Sequence, residues 1–377
     1  MSSYTPGSDQ NVQGQNTGGI LGTINEYLLS IQTVKTKDKV IFYRLLSTMT
    51  NAGMTLLKGI EVLHKQEKNE VLKKILADIH VNLKEGKSFC ECLEPWSNSF
   101  SEAERGVIRS GETTGRLNEV LLDLADQIEK LDSISGKIKS AMIYPACIVL
   151  VVCGVVAVMM IKVVPNLLEI FDDKSALPPS TQVLIQLSNL FTQYWFLGII
   201  LAILAYIGVT LWRKTPDGHY LYDSFVLKIP VFGGINRKLI LSKFSRVLAG
   251  LLASGVSFVE ALKITSEAVG NEVYKQRILL MSEDVKQGIK IFESLDGDPL
   301  FPEMMVQMIQ VGEQTAKLDQ TVVKVADFYD EEIDNTVLVL NKLLEPFIIV
   351  FLAVVVGFIA IAIMQPIMGL ADTISQG

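Results

Sequence analysis

The feature that most constrains this chain is a long internal repeat. The segment "FYRLLSTMTNAGMTLLKGIEVL" (Phe42–Leu63) returns 202 residues later as "FSRVLAGLLASGVSFVEALKIT" (Phe244–Thr265). Phe42 matches Phe244, Arg44 matches Arg246, Leu46 matches Leu248 and Gly53 matches Gly255. The same offset pairs Gly86 with Gly288, Glu91 with Glu293 and Leu93 with Leu295. One residue is then lost in a proline-containing loop, where "EPWSNSF" faces "DGDPLF"; loops tolerate such deletions. Beyond it, "IRSGETTGRLNEVLLDLAD" (Ile108–Asp126) aligns with "IQVGEQTAKLDQTVVKVAD" (Ile309–Asp327), and seven of nineteen positions are identical, against about one by chance. Pro145 continues to match Pro346, and Pro165 matches Pro366. A supersecondary unit has been duplicated, so the fold must be one that can be used twice.

Three segments inside and between the copies are long and apolar enough to cross a bilayer: Ala141–Ile161, Tyr194–Trp212 and Pro346–Met364. None contains Asp, Glu, Lys or Arg. A mean hydropathy of +0.35 with 49% hydrophobic residues agrees with spans beside polar regions. One such run could be a buried core helix; three together point to a membrane protein. Lys130, Lys137 and Lys139 precede the first span, and Arg213, Lys214, Lys228, Arg237, Lys238, Lys243 and Arg246 follow the second. Between these spans lie only Lys162 and Lys174, and no basic residue follows the third. The bias of basic residues to the cytoplasmic side therefore puts the N-terminal and central regions inside, and the loop and C-terminal tail outside. Tyr144, Tyr194, Trp195, Tyr206 and Trp212 suit interfacial anchoring. The repeat demands the same topology. Two copies that end in equivalent outward spans share one orientation, so the chain must cross back between them.

Each copy reads as helical. Val40 to Met49 forms a helix, Asn51-Ala52-Gly53 stops it, and Thr55 caps the next, which runs to about His64. Helices follow at about 70–84, 88–93 and 102–110. A long one from about Arg116 carries Leu117, Val120, Leu121, Leu124 and Ile128 on one face and runs toward the first span. The second copy ends in a long helix from about Leu318 to Asn341. About six short helices per copy could bury a core as a bundle. Gly111-Glu112 and Gly312-Glu313 fall where one helix ends and another starts. There Gly permits a left-handed residue, and Glu is favoured by the dipole of a first turn. Arg44 and Arg246 are expected to pair with carboxylates in their own domains, with contact to a partner as the alternative. Glu345 lies just before Pro346, near Lys342, and its counterpart is Tyr144. Residues 1–34 lack Lys and Arg, are rich in small polar residues, and lack the basic start of a secretory signal. Met1 to about Gly19 reads as a disordered leader, and Ile20 to Val34 as a short helix with Leu21, Ile24, Leu28 and Ile31 on one face.

Catalytic signatures are missing. "GKS" at Gly86–Ser88 lacks the earlier glycine of a P-loop, where Val81 stands instead. There is no G-x-S-x-G, H-E-x-x-H or kinase pattern. Cys90 and Cys92 form a C-x-C without a second ligand pair, Cys147 and Cys153 lie in an apolar run, and His64, His80 and His219 are scattered. Reduced thiols, no metal, no cofactor and no enzyme are the expectation. A net charge of -7 without a concentrated basic face argues against nucleic acid. The competing reading is a small-molecule transporter or channel built on a duplicated membrane unit. Carriers, however, place ionisable residues or broken helices at mid-membrane, and these spans carry no charge.

With these residues in view, the chain resembles the inner-membrane platform proteins of type II secretion systems and type IV pili (the type II secretion F family). The marks are F-x-R-x-L…G at Phe42–Gly53 and Phe244–Gly255, and "YP" or "EP" opening a span at Pro145 and Pro346. The third is G-E-x-[TS]-G-x-L, standing as "GETTGRL" at Gly111–Leu117 and as "GEQTAKL" at Gly312–Leu318. Ala316 departs from the usual second glycine, which is Gly115 in the first copy. The likeness covers about residues 38–370. It implies an all-α membrane scaffold with two cytoplasmic helical-bundle domains and three transmembrane helices. The layout is a polar leader at 1–34, a first cytoplasmic domain at 35–140, spans at 141–164, 194–212 and 346–365, a periplasmic loop at 165–193, a second cytoplasmic domain at 213–345 and a periplasmic tail at 366–377. The implied partners are a cytoplasmic hexameric assembly ATPase, pilin or pseudopilin subunits, other inner-membrane assembly proteins, membrane lipid and further copies of the chain. The implied role is to couple the ATPase to extraction of pilin from the bilayer. The family motif residues are the candidate contact positions: Arg44, Gly53, Gly111, Glu112, Gly115, Pro145, Arg246, Gly255, Gly312, Glu313, Glu345 and Pro346.

Overall fold

The computed structural model describes residues 33–163, 179–230 and 232–375. The expected leader and nearly all of the expected Ile20–Val34 helix lie outside the described residues, as does Pro165; Thr33 to Lys35 are not helical. Among the described residues every regular element is a helix. They group into two compact units, one ending at Ala125 and the other beginning at Asp126.

The first unit contains α1 (Thr36–Asn51), α2 (Leu56–Gln66), α3 (Glu70–Lys84), α4 (Phe89–Leu93), α5 (Glu102–Thr114) and the start of α6 (Leu117–Val158). Local chemistry fixes the boundaries. Thr55 accepts the Lys58 N–H, Asn69 accepts those of Val71 and Leu72, and Ser88 and Ser101 form capping boxes with Glu91 and Glu104. Such caps satisfy donors that a helix start leaves without partners. Gly53, at φ +84°, ends α1 in the left-handed conformation that glycine adopts without strain. The core is aromatic at its centre: Phe42, Tyr43, Phe89 and Phe100 pack together, with Leu46, Ile75, Leu76 and Ile79 fully buried around them.

The second unit repeats the series after two further helices. These are α7 (Pro179–Trp212) and α8 (Pro216–Lys228). Then come α9 (Phe232–Ala253), α10 (Phe258–Ala268), α11 (Glu272–Lys286), α12 (Ile291–Leu295), α13 (Glu303–Gln314) and α14 (Leu318–Ser375). Ser257 and Asn271 cap α10 and α11 where Thr55 and Asn69 cap α2 and α3, and Gly255 at φ +88° takes the place of Gly53. Phe244 and Phe301, the equivalents of Phe42 and Phe100, again meet edge to face. Here the third ring comes from Tyr274, on a different helix from Tyr43.

Among the described residues two helices are each long and apolar enough to cross a membrane, Leu117–Val158 and the Leu318–Phe358 part of α14. Both are continuous from the shared Gly-Glu motif region into the apolar run, with Pro145 inside α6 and Pro346 inside α14. The expected stop near Asn341 is absent, and the helix continues through the expected C-terminal tail to Ser375. A helix interior tolerates proline at membrane depth when neighbours supply the missing contacts. Of the expected 165–193 loop, the part from Pro179 onward is helical and belongs to α7. The apolar end of α7, Phe196–Trp212, turns by 112° into α8. From Lys130 onward α6 follows α14 in the same direction. Lys130 faces Asp330, Lys137 bonds Asp334 at 2.6 Å, and Ile134 packs on Ile333 and Val337. Farther along, a groove of about 650 Å³ lies between Cys147, Val151 and Val155 of α6 and Ile348, Leu352 and Val356 of α14.

Candidate functional site

The motif shared by both copies is a structural clamp built around a glutamate. Glu112 lies in the last turn of α5, and its carboxylate accepts the backbone N–H groups of Phe89 at 2.5 Å and Cys90 at 2.9 Å. Glu313, in the last turn of α13, accepts those of Ile291 at 2.9 Å and Phe292 at 3.0 Å. These are the first amides of α4 and α12, which have no acceptor within their own helices. A carboxylate there gains both charge-assisted hydrogen bonds and the favourable end of the helix dipole. The expected dipole argument therefore holds in kind but not in place: the glutamates close a helix and cap a different one, 21 to 23 residues away.

The preceding glycines act through their size. A Cβ on Gly111 would lie 3.0 Å from Val120 of α6, and one on Gly312 would lie 2.1 Å from Thr321 Oγ1 and 2.9 Å from the Leu318 backbone. They let α5 and α13 pack directly on the start of the long helices. The left-handed residues are instead Gly115, at φ +71°, and Ala316, at φ +54°. Ala316 is the single non-glycine residue with positive φ among the described residues. The clamp thus ties the short helix, the motif helix and the span-bearing helix into one body in each copy.

The two arginines differ. Arg246 bonds Asp327 at 3.1 Å and makes a shorter contact with Asp330, both on α14, and its side chain is 11% exposed. Ser242 donates to the other oxygen of Asp330. Arg246 thus pairs with carboxylates of its own copy. Arg44 is exposed on α1.

The first copy also holds a buried polar cluster whose members, 60 to 65 residues apart, no local spacing connects. Lys39 donates to Glu104 and to the Ser99 carbonyl, each at 2.8 Å, and the Tyr43 hydroxyl donates to Glu104 at 2.9 Å. Burial, reinforced by the Glu104 charge, holds the Tyr43 phenol well above its ordinary range. Repeat numbering places Leu241, Ser245 and Met305 at the equivalent positions. The Ser101-x-x-Glu104 capping pattern was the one legible signal.

Cys90 and Cys92 are buried free thiols, and burial pushes Cys92 up to about 11. Among the described residues no three His, Cys, Asp or Glu side chains gather to hold a metal ion. A cleft of about 650 Å³ opens beside α12 and α13, between Phe292, Asp298, Pro302 and Gln307. It lies beside the loop in which the two copies differ in length.

The sequence profile of the family described as "Type II secretion system (T2SS), protein F" matches this chain twice, over residues 42–165 and 244–366. The chain belongs to this family. Both matches begin at the phenylalanine of the F-x-R helix and end at the proline that closes the repeat. The chain is 37% identical over 341 residues to the "Type IV pilus assembly protein PilC" of Thermus thermophilus, covering 90% of this chain and 84% of the relative. It is 34% identical to the PilC of Pseudomonas aeruginosa, covering 90% of this chain and 92% of that one. It is 32% identical to the "Type II secretion system protein F" of Aeromonas hydrophila, covering 93% and 91%. Members of the family serve pilus biogenesis and type II secretion, and the clamp glutamates stand in both matched regions.

Proposed function

We propose that the protein is the inner-membrane platform of a type IV pilus or type II secretion assembly machine. In this reading it couples a cytoplasmic assembly ATPase to extraction of pilin or pseudopilin subunits from the bilayer. The observation that carries it is the doubled family match, together with relatives named for pilus assembly and secretion over nine-tenths of the chain. The geometry agrees with a scaffold. Its most constrained polar groups, Glu112, Glu313, Arg246 and Lys39, are engaged in holding helices together.

Phe196–Trp212 serves as a third, returning span, and both helical units lie in the cytoplasm with the C-terminus in the periplasm. The helices α6 and α14, each continuing past its internal proline, would carry a displacement from the cytoplasmic units into the membrane. The ATPase, pilin, other inner-membrane assembly proteins and further copies of the chain are the partners of this role. Deleting the gene is expected to abolish surface filaments or secretion while pilin remains in the membrane, and re-expression restores them. Filament assembly and secretion unchanged by the deletion would overturn the reading.

A further inference from the structure

We infer that α8 is a membrane-surface helix, seated in the headgroup layer of the cytoplasmic leaflet by an apolar face centred on Leu221 and Phe225. The inference deepens the proposed topology, because it rests on Phe196–Trp212 being a membrane crossing.

The corner that leads into α8 is tight. Thr215 donates its hydroxyl to the Trp212 carbonyl at 2.6 Å and accepts the Gly218 N–H at 3.2 Å. A Cβ on Gly218 would sit 2.0 Å from that same carbonyl oxygen, a backbone atom that cannot move aside. The Arg213 guanidinium stacks 4.1 Å from the Tyr222 ring centre, across the corner. A helix that leaves a span at 112° runs close to the plane of the membrane. The far end of α8 lies at the same level. Val226 lines an apolar crevice of about 410 Å³ with Met142 of α6 and Leu344 of α14, residues at the start of the other two apolar runs.

The rotation of α8 about its axis is fixed by the domain beneath it. Asp223 is buried and accepts the backbone N–H of Glu272, the first residue of α11, at 2.7 Å. Leu227 is buried on the same side, and α8 packs on α9 and α11. At about 100° per residue, positions two before and two after Asp223 fall together on the opposite face. Those positions are Leu221 and Phe225, 55% and 66% exposed. The arrangement inverts that of a water-facing helix, whose polar side looks outward. Asp217 and Lys228, both exposed, stand at the two ends of the helix on the Leu221 side of this face, and Arg213 and Lys214 sit at the corner, where they can meet anionic headgroups. An interfacial helix buries such a face about 5–10 Å into the headgroup and acyl boundary.

The test uses the full chain in phosphatidylcholine–phosphatidylglycerol vesicles, with the native cysteines replaced and single spin labels at Leu221→Cys, Phe225→Cys, Leu204→Cys and Glu283→Cys. Accessibility to oxygen and to a water-soluble nickel chelate gives the depth of each label. The expected result is Leu204 at mid-bilayer, Glu283 in water, and Leu221 and Phe225 between them with an oxygen-to-nickel ratio several-fold above that of Glu283. Leu204 deep with Leu221 and Phe225 as open to nickel as Glu283 would overturn the inference alone. Leu204 in water would overturn both the crossing and the inference.

Discussion

Lys39 donates to Glu104 at 2.8 Å inside the first copy, at positions where the second copy carries Leu241 and Met305. The duplicated fold therefore accepts either a buried charge pair or an apolar pair at the same place. Removing one member of such a pair strands a buried charge and costs about 3–5 kcal/mol, whereas replacing both by apolar groups is often neutral. Lys39→Leu is expected to loosen the first unit by that amount. Adding Glu104→Met and Tyr43→Phe should recover most of it, less the lost capping box at Ser101. Amide hydrogen exchange of Leu46 and Ile79, both fully buried, reads the local stability. A triple variant no better than Lys39→Leu alone would show that the pair stabilises the fold in its own right.

The clamp predicts an asymmetry between the copies. In the second, Lys290 precedes α12 without a side-chain cap, so Glu313 is the side chain that satisfies its first amides. In the first, Ser88 also caps α4 by accepting the Glu91 N–H. Hydrogen bonds to a charged group contribute about 1.5–3 kcal/mol. Glu313→Ala is expected to destabilise the second unit by that range and to speed exchange of the Ile291 and Phe292 amides. Glu112→Ala should cost the first unit less. Equal losses from the two substitutions would mean that the serine cap adds nothing.

Ala316 stands where the first copy has Gly115, and both adopt positive φ. An alanine there carries roughly 1–2 kcal/mol of backbone strain. Glycine would relieve it, against about 0.4–1 kcal/mol of added freedom in the unfolded chain. Ala316→Gly is therefore expected to stabilise the second unit by about 0.5–1 kcal/mol, and Gly115→Ala to destabilise the first by a similar amount. Paired denaturation curves of the solubilised chain give the sign of each.

The helix boundaries were readable because their chemistry is local. Thr55, Ser88 and the glycine at 53 act within a few residues of themselves, and they mark α1, α2 and α4 without any tertiary contact. The doubled family match was readable because identity at a fixed offset needs no geometry at all. The role of Glu112 was not, since its partners lie 22 to 23 residues away and nothing in the spacing says that α5 folds back on α4. The same holds for Arg246 and Asp330, 84 residues apart. Asp223, which fixes the rotation of α8, accepts from Glu272, 49 residues away, and nothing local marks that partner. The end of α14 was misplaced for another reason. Polarity falls away near Asn341, but helix continuity depends on backbone bonds, and no left-handed residue follows Ala316 in that helix.

The buried hydroxyls and thiols set the alkaline limit of the fold. Burial raises Tyr274 and Tyr329 to about 12 from an ordinary value of 10.0, and Cys92 to about 11 from 9.0. Tyr43 is likewise held well above its ordinary range by burial and the Glu104 charge. In each case the folded state holds the proton more tightly than the unfolded state. Stability from these groups is therefore fully present below the unfolded values and falls as pH rises toward the folded ones. The decline should begin near pH 9 with Cys92 and steepen above pH 10 with the tyrosines. Tyrosinate absorbance is expected to lag behind that of free tyrosine and then to rise together with loss of helix. Cys90 and Cys92 should likewise resist alkylation until the first unit opens. Full ionisation of Tyr43, Tyr274 and Tyr329 near pH 10 with the helices intact would contradict the burial described for them.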